Sequence, residues 1–404
     1  MNAVCLSVAL VGHVALWAAA FNRAHSTGVS PRLGRLFGFA PLAPVLAIPA
    51  AYFGQLGWAG LRPLDPGVEL PWGWMLYGVL CGLGAIWVCA LWGLRWMSRR
   101  PPGVLCDERA RRLDLVAKAE RTSRDGFGRH PLLWLPGNET LQLELVERAV
   151  ALPGLPPSLD GLCIVHLSDL HLSGKVSLGY FQRVVQYANR WEPDLVAITG
   201  DLVERNRVLD WAPQLLGALE AKFGVYFTLG NHDAMIDHRR LCRALVHAGL
   251  VHLGGRSVEL SIRGQCVILA GNELPWFPPA PQWPGTDGDG RGRRLRIALA
   301  HTPDQLEWAR AHGVDLMLAG HLHGGQIRFP LIGPVLSPSR RGVRYACGLF
   351  DVAPTVLQVS RGVSAEYPIR INCPPEIIRL ELRAPVAHPV AEGALEAPLL
   401  ELAR

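Results

Sequence analysis

Five short polar segments hold the side chains of this sequence that could do chemistry: Ser168-Asp169-Leu170-His171, Gly200-Asp201, Gly230-Asn231-His232-Asp233, His301 and Gly320-His321-Leu322-His323. Carboxylate, imidazole and amide oxygen suit borderline or hard divalent cations, and no thiolate stands among them. Mn, Fe, Zn and Mg all fit such a set. A histidine taken alone is more often hydrogen-bonded in a core than bound to a metal. That reading, or simple surface exposure, is given to His166, His247, His252 and His312. The grouped segments are different, because each polar side chain buried unpaired would cost on the order of 2–7 kcal/mol, a cost that metal binding relieves.

Each segment follows an apolar run: Leu162 to Leu167, Leu195 to Thr199, Val225 to Leu229, Leu295 to Ala300 and Leu316 to Ala319, with Cys266 to Ala270 as a further run. Unbroken hydrophobicity over that length predicts strands buried on both faces. Helices are predicted between them over Leu178 to Trp191, Trp211 to Ala221, Arg239 to Ala248 and Pro303 to Ala311. The fold class is therefore α/β. Strands of an open α/β sheet present their carboxyl ends to one crevice, so segments far apart in sequence can converge there. Gly200, Gly230 and Gly320 suit tight turns that let backbone approach a bound ion.

In order, the segments read D-x-H, G-D, G-N-H-[DE], H and G-H-x-H. Any one would recur by chance, but the complete series resembles the calcineurin-like metallophosphoesterases, closest to their membrane-associated bacterial branch. The resemblance covers residues 140–383 and includes the runs Tyr367-Pro368-Ile369-Arg370 and Pro374-Pro375-Glu376. It implies two β-sheets packed together and flanked by helices. It implies further that Asp169, His171 and His323 hold one divalent ion, that Asn231, His301 and His321 hold a second, and that Asp201 bridges them. Two ions about 3.5–4 Å apart lower the pKa of a water between them and neutralise charge as its hydroxide attacks phosphorus in line. His232 is assigned to protonate the leaving oxygen, with Asp233 orienting its ring. The expected reaction is hydrolysis of a phosphodiester, phosphomonoester or pyrophosphate bond.

The chain has 404 residues, and its first quarter differs from the rest in carrying very few charges. Met1 to Asn22, Leu36 to Leu61 and Leu70 to Leu94 are uncharged windows of spanning length, predicting three transmembrane helices within residues 1–97. Pro41, Pro44 and Pro49 would kink the second. A cleaved signal peptide is disfavoured by the lack of a basic leading segment and by the apolar windows that follow. Arg23, Arg32 and Arg35 after the first span, and Arg95, Arg99 and Arg100 after the third, place the amino terminus outside and the large domain on the cytoplasmic side of the inner membrane. Residues 98–139 read as a linker with a short helix around Glu108 to Glu120, 140–383 as the catalytic domain, and 384–404 as a loose tail. Nine unpaired cysteines fit a reducing compartment. The net charge of +6 is modest and much of it lies in the juxtamembrane arginines, where it would meet anionic lipid, and no nucleic-acid partner is expected.

Anchoring near a bilayer suggests a lipid-linked phosphate ester as substrate. Trp276, Phe277, Pro278, Pro279, Pro281 and Trp283 form an aromatic loop that could face membrane or an acyl chain, and Arg291, Arg293 and Arg294 could meet phosphate. Asn272 and Glu273 read as supports rather than ligands. The alternatives are a general nucleotide phosphodiesterase and a non-catalytic, metal-binding membrane scaffold.

Overall fold

The computed structural model describes residues 2–26, 40–97, 101–115, 130–283 and 293–385. It opens with α1 (Asn2–Ser26), α2 (Ala43–Leu56) and α3 (Trp72–Met97). Asn2–Ala24 and Trp72–Leu94 are long and apolar enough to cross a membrane. Among the described residues the middle window forms α2 between two 3-10 turns, which together run without a break over residues 40–61. Helix α2 starts at its prolines, with Pro44 in its first turn and Pro49 inside.

Helices α1 and α3 pack side by side and parallel. Asn2 bonds to Asp65 and to the backbone of Leu64, just ahead of α3. Further along, Gly12 touches the Cys81 carbonyl so closely that a Cβ there would lie 1.6 Å from it, and Gly84 meets Leu16. Small residues allow such backbone contact between apolar helices. Two parallel helices require the chain between them to return. Helix α2 lies on that return path: Val45 O is 3.1 Å from His13 Nε2, halfway along α1, and Gln55 accepts from Trp74 at the start of α3.

The rest is a two-sheet sandwich. Its strands in chain order are β1 (Leu105–Asp114), β2 (Gln142–Ala151), β3 (Leu162–Leu167), β4 (Leu195–Thr199), β5 (Val225–Thr228), β6 (Val251–His252), β7 (Ser257–Ile262), β8 (Gln265–Asn272), β9 (Leu295–Ala300), β10 (Leu316–Ala319), β11 (Arg328–Phe329), β12 (Gly333–Pro334), β13 (Gly348–Val352), β14 (Thr355–Val359) and β15 (Glu376–Arg383). One sheet runs β1-β2-β15-β3-β4-β5-β6 and the other β13-β14-β10-β9-β8-β7, while β11 and β12 form a separate hairpin. Strands β3, β4 and β5 are parallel, as are β8, β9, β10 and β14.

Alternation along β3 shows why its run is apolar throughout. Leu162 and Ile164 enter the core between the sheets with Leu269, Ile297 and Leu318. Val165 and Leu167 face helices α4 (Leu178–Asn189), α5 (Trp211–Leu216) and α6 (His238–His247) on the outside. The second sheet is covered by α7 (Leu306–Ala311) through Leu306 and Ala309. The sequence reading of residues 98–139 as linker is corrected here. The segment Leu105–Asp114, where a helix was expected to begin, is an edge strand paired antiparallel with β2. Its charged residues face solvent on both sides, so it lacks the apolar period that marks a strand. Residues 116–129, 284–292 and 386–404, including the remainder of that expected helix, the Gly-Asp-Arg stretch with Arg291, and the tail, lie outside the described residues.

Candidate metal centre

The five polar segments follow β3, β4, β5, β9 and β10, so both sheets deliver their carboxyl ends to one place. The backbone there is bent hard. Asp169, His171, Asp201, His321 and His323 have φ of 52°, 45°, 53°, 72° and 50°. This left-handed region costs a non-glycine residue about 1–3 kcal/mol and persists only where surroundings enforce it. Two glycines let the loops close. A Cβ on Gly200, itself at φ 80°, would lie 2.5 Å from His301 Nδ1, and one on Gly320 would lie 1.8 Å from Ser168 Oγ.

The turns gather the side chains into adjoining groups. The ligand atoms of Asp169, His171 and His323 lie within 4.8 Å of one another, and so do those of Asp201, His301 and His321. His171 Nε2 is 3.1 Å from His323 Nε2 and 3.6 Å from Asp201 Oδ2. His301 Nε2 is 3.2 Å from the same Asp201 oxygen, 3.0 Å from Asn231 Oδ1 and 3.1 Å from His321 Nδ1. An ion with bonds of ~2.0–2.2 Å holds neighbouring donors about 3.0–3.5 Å apart, which matches this spacing. Asp201 Oδ2 is buried without a hydrogen-bond partner although ring nitrogens surround it. A cation beside that oxygen would satisfy it, and the residues present fit a divalent metal.

His232 stands at the rim, its side chain 15% exposed where that of His171 is fully covered. Its Nε2 is 4.0 Å from Asp201 Oδ2 and its Nδ1 is 2.8 Å from Glu204 Oε1. The same Glu204 oxygen bonds His171 Nδ1. Glu204 therefore orients the His171 ring and stands within ion-pair distance of His232. Burial disfavours a charged His232 ring, but the Asp201 and Glu204 carboxylates outweigh it and raise its pKa above the usual histidine range, before any cation is added.

The expected partner, Asp233, does not orient His232. Its carboxylate is fully buried and accepts from the backbone N–H groups of Leu202, Val203 and Gly230 at 2.9–3.2 Å. Asp233 ties the β4 and β5 loops together. Burial and the nearby Asp201 charge push its carboxyl up to about 7, against the pull of the Gly230 and Val203 donors.

Three neighbours were not legible as site residues. Besides Glu204 there is Trp276, whose ring centroid lies 5.5 Å from His301 and 5.1 Å from His321. There is also Arg370, a fully buried cation donating to His323 O at 3.1 Å. The aromatic loop thus turns inward at Trp276, while Trp283 stacks on Trp308. Asn272 and Glu273 act as supports: Glu273 Oε1 accepts from Leu229 N at 2.6 Å and meets His252 Nε2 at 2.8 Å. His166, read as a core histidine, meets Thr199 Oγ1 at 2.8 Å. Arg293 is engaged away from the centre, by Pro153 O and by Asp315 at the opposite end of β10.

Residues 163–325 match the family profile of the calcineurin-like phosphoesterases. The uncharacterized metallophosphoesterase YkuE of Bacillus subtilis strain 168 is 30% identical over 276 residues, 67% of this chain and 94% of that protein. The chain belongs to the calcineurin-like phosphoesterase family. Another relative of this phosphoesterase is the phosphodiesterase YaeI of Escherichia coli strain K12, 30% identical over 224 residues, 54% of this chain and 81% of that one. A transmembrane protein with a metallophosphoesterase domain from Danio rerio is 30% identical over 273 residues, 59% of this chain and 57% of that protein. The calcineurin-like phosphoesterase described here is a metal-dependent phosphoesterase with candidate ligands grouped at one end of its sandwich.

Proposed function

We propose that this chain is a membrane-anchored, dinuclear-metal phosphoesterase. Asp169, His171 and His323 would hold one divalent ion and Asn231, His301 and His321 the other, with Asp201 available to both. The observation that carries this reading is Asp201 Oδ2, orphaned and placed 3.6 Å and 3.2 Å from the nitrogens of two different groups. Two such ions supply an acidified water and neutralise charge on phosphorus. This chain's own residues do the rest. Glu204 holds His171 and His232 in register, Trp276 walls one side, and His232 Nε2 at the rim donates a proton to the leaving oxygen.

The substrate is a phosphodiester, phosphomonoester or pyrophosphate, and a lipid-linked ester is preferred because α1 and α3 hold the site beside a bilayer. A three-pass topology, with the amino terminus outside and the domain on the cytoplasmic face of the inner membrane, is supported by the parallel packing of α1 and α3 together with the arginines after each.

The test uses the full purified chain, stripped of metal and resupplied with Mn, Zn, Mg or Fe. Hydrolysis of bis(p-nitrophenyl) phosphate and p-nitrophenyl phosphate is followed, with Asp201→Ala alongside. Metal-dependent turnover lost in the variant is the expected result. A folded, metal-loaded chain inert toward both esters and toward phospholipids would instead favour the scaffold reading.

A further inference from the structure

Helices α1 and α3 and the loop after β12 line a half-open pocket of about 470 Å³, within the roughly 300–1,000 Å³ usual for ligand sites. None of the seven candidate metal ligands lines it. Its apolar wall is Val11, Ala15, Ala18, Trp87, Val88 and Leu91. These residues lie on helices of spanning length, so the wall stands at hydrocarbon depth. The other end is polar and basic, with Arg23, Arg340 and Arg341 beside Asn22 and Ser339. Arg341 is paired with Glu307. Arg23 and Arg340 are exposed, and theirs is the charge an anion would meet.

The neighbouring β11–β12 hairpin points the same way. Phe329, Leu331 and Ile332 are 52%, 72% and 60% exposed. Leu331 O accepts from Trp92 Nε1 at 3.0 Å near the end of α3. An apolar tip bonded to the end of a spanning helix belongs at the polar–apolar boundary of a bilayer.

We propose that this cavity binds an anionic glycerophospholipid, its acyl chain between α1 and α3 and its phosphate on Arg23 and Arg340. A second copy of the chain or a peptide would not match an apolar wall at membrane depth closed by a basic rim; a lipid with a charged head matches both ends. The inference rests on the proposed membrane crossing but not on hydrolysis.

The full chain is reconstituted in phosphatidylcholine nanodiscs containing a minor share of phosphatidylglycerol, and the lipid it retains is weighed by native mass spectrometry. One phosphatidylglycerol per chain, held in preference to phosphatidylcholine, is expected. Arg340→Gln should cut the preference about fivefold, as loss of one basic contact at a lipid surface predicts. Ala15→Trp should fill the apolar half and release the lipid, and Arg23→Gln provides a second test should that variant misfold. Equal retention of both lipids, or undiminished retention in Ala15→Trp, overturns the proposal. So does displacement by excess glycerol 3-phosphate, which would assign the rim to a free phosphate ester. Extraction of the chain from membranes by alkaline carbonate would defeat the membrane crossing itself, a failure visible before any lipid is weighed.

Discussion

Glu204 sits where no motif asked for a carboxylate. In sequence it is a loop glutamate three residues past Asp201, indistinguishable from a solvated one, and only folding brings it against His171 and His232. The seven candidate ligands were legible because their chemistry is written in residue type and in position after apolar runs. The role of Asp233 was misread because adjacency to His232 in sequence says nothing about where a side chain turns. These two acids now make opposite predictions. Glu204→Gln should lower kcat about 10–100-fold at an unchanged melting temperature, since an orienting acceptor is weakened while packing survives. Asp233→Asn should chiefly lower the melting temperature, because its amide turns N–H donors toward backbone N–H groups and leaves buried donors unmet, at about 1–3 kcal/mol. The reverse pattern would exchange their roles. His232→Ala should keep its metal content, by elemental analysis, and lose about 10²–10⁴-fold in turnover; near-normal turnover would remove it as the proton donor.

At the scale of elements, the buried strands β3, β4, β9 and β10 were readable because each is covered on both faces, which leaves an unbroken apolar run. Strand β1 was not, because an exposed edge can be made entirely of polar residues. It follows that a fragment beginning at residue 140 would strip β1 from β2, and it should be less soluble and melt lower than one beginning before Leu105 in parallel thermal scans. Strand β3 carries a second consequence. Burial lowers the pKa of His166 to about 4, whereas in the unfolded chain it titrates near 6.5. Between those values the unfolded state binds the extra proton, so this ring's contribution to stability is intact above about 6.5 and falls as pH drops toward about 4. The stability difference between wild type and His166→Phe should therefore change by up to about 1.4 kcal/mol per pH unit across that window. A pH-independent difference in denaturant midpoints would refute it.

At the scale of the molecule, the apolar windows pointed to helices long and apolar enough to cross a membrane, but their packing could not be read from composition. That α1 and α3 run the same way depends on Gly12 and Gly84 meeting their partners at matched heights, and a glycine in an apolar helix carries no label saying what it touches. In oriented vesicles, an amino-terminal tag and the catalytic domain should be digested from opposite faces; digestion from the same face would contradict parallel helices. The contact at the end of α1 reaches further. Asn22 is buried, accepts from Ser337 N at 2.7 Å and donates to Val335 O at 3.3 Å. Two residues on, Ser339 Oγ grips Asp304, three residues past His301. The first helix is thus the last member of a chain of props that ends at the hydrolytic centre. Trimming it away to obtain a more tractable fragment removes a strut, so kinetics measured on such a fragment describe a loosened relative of the native catalyst.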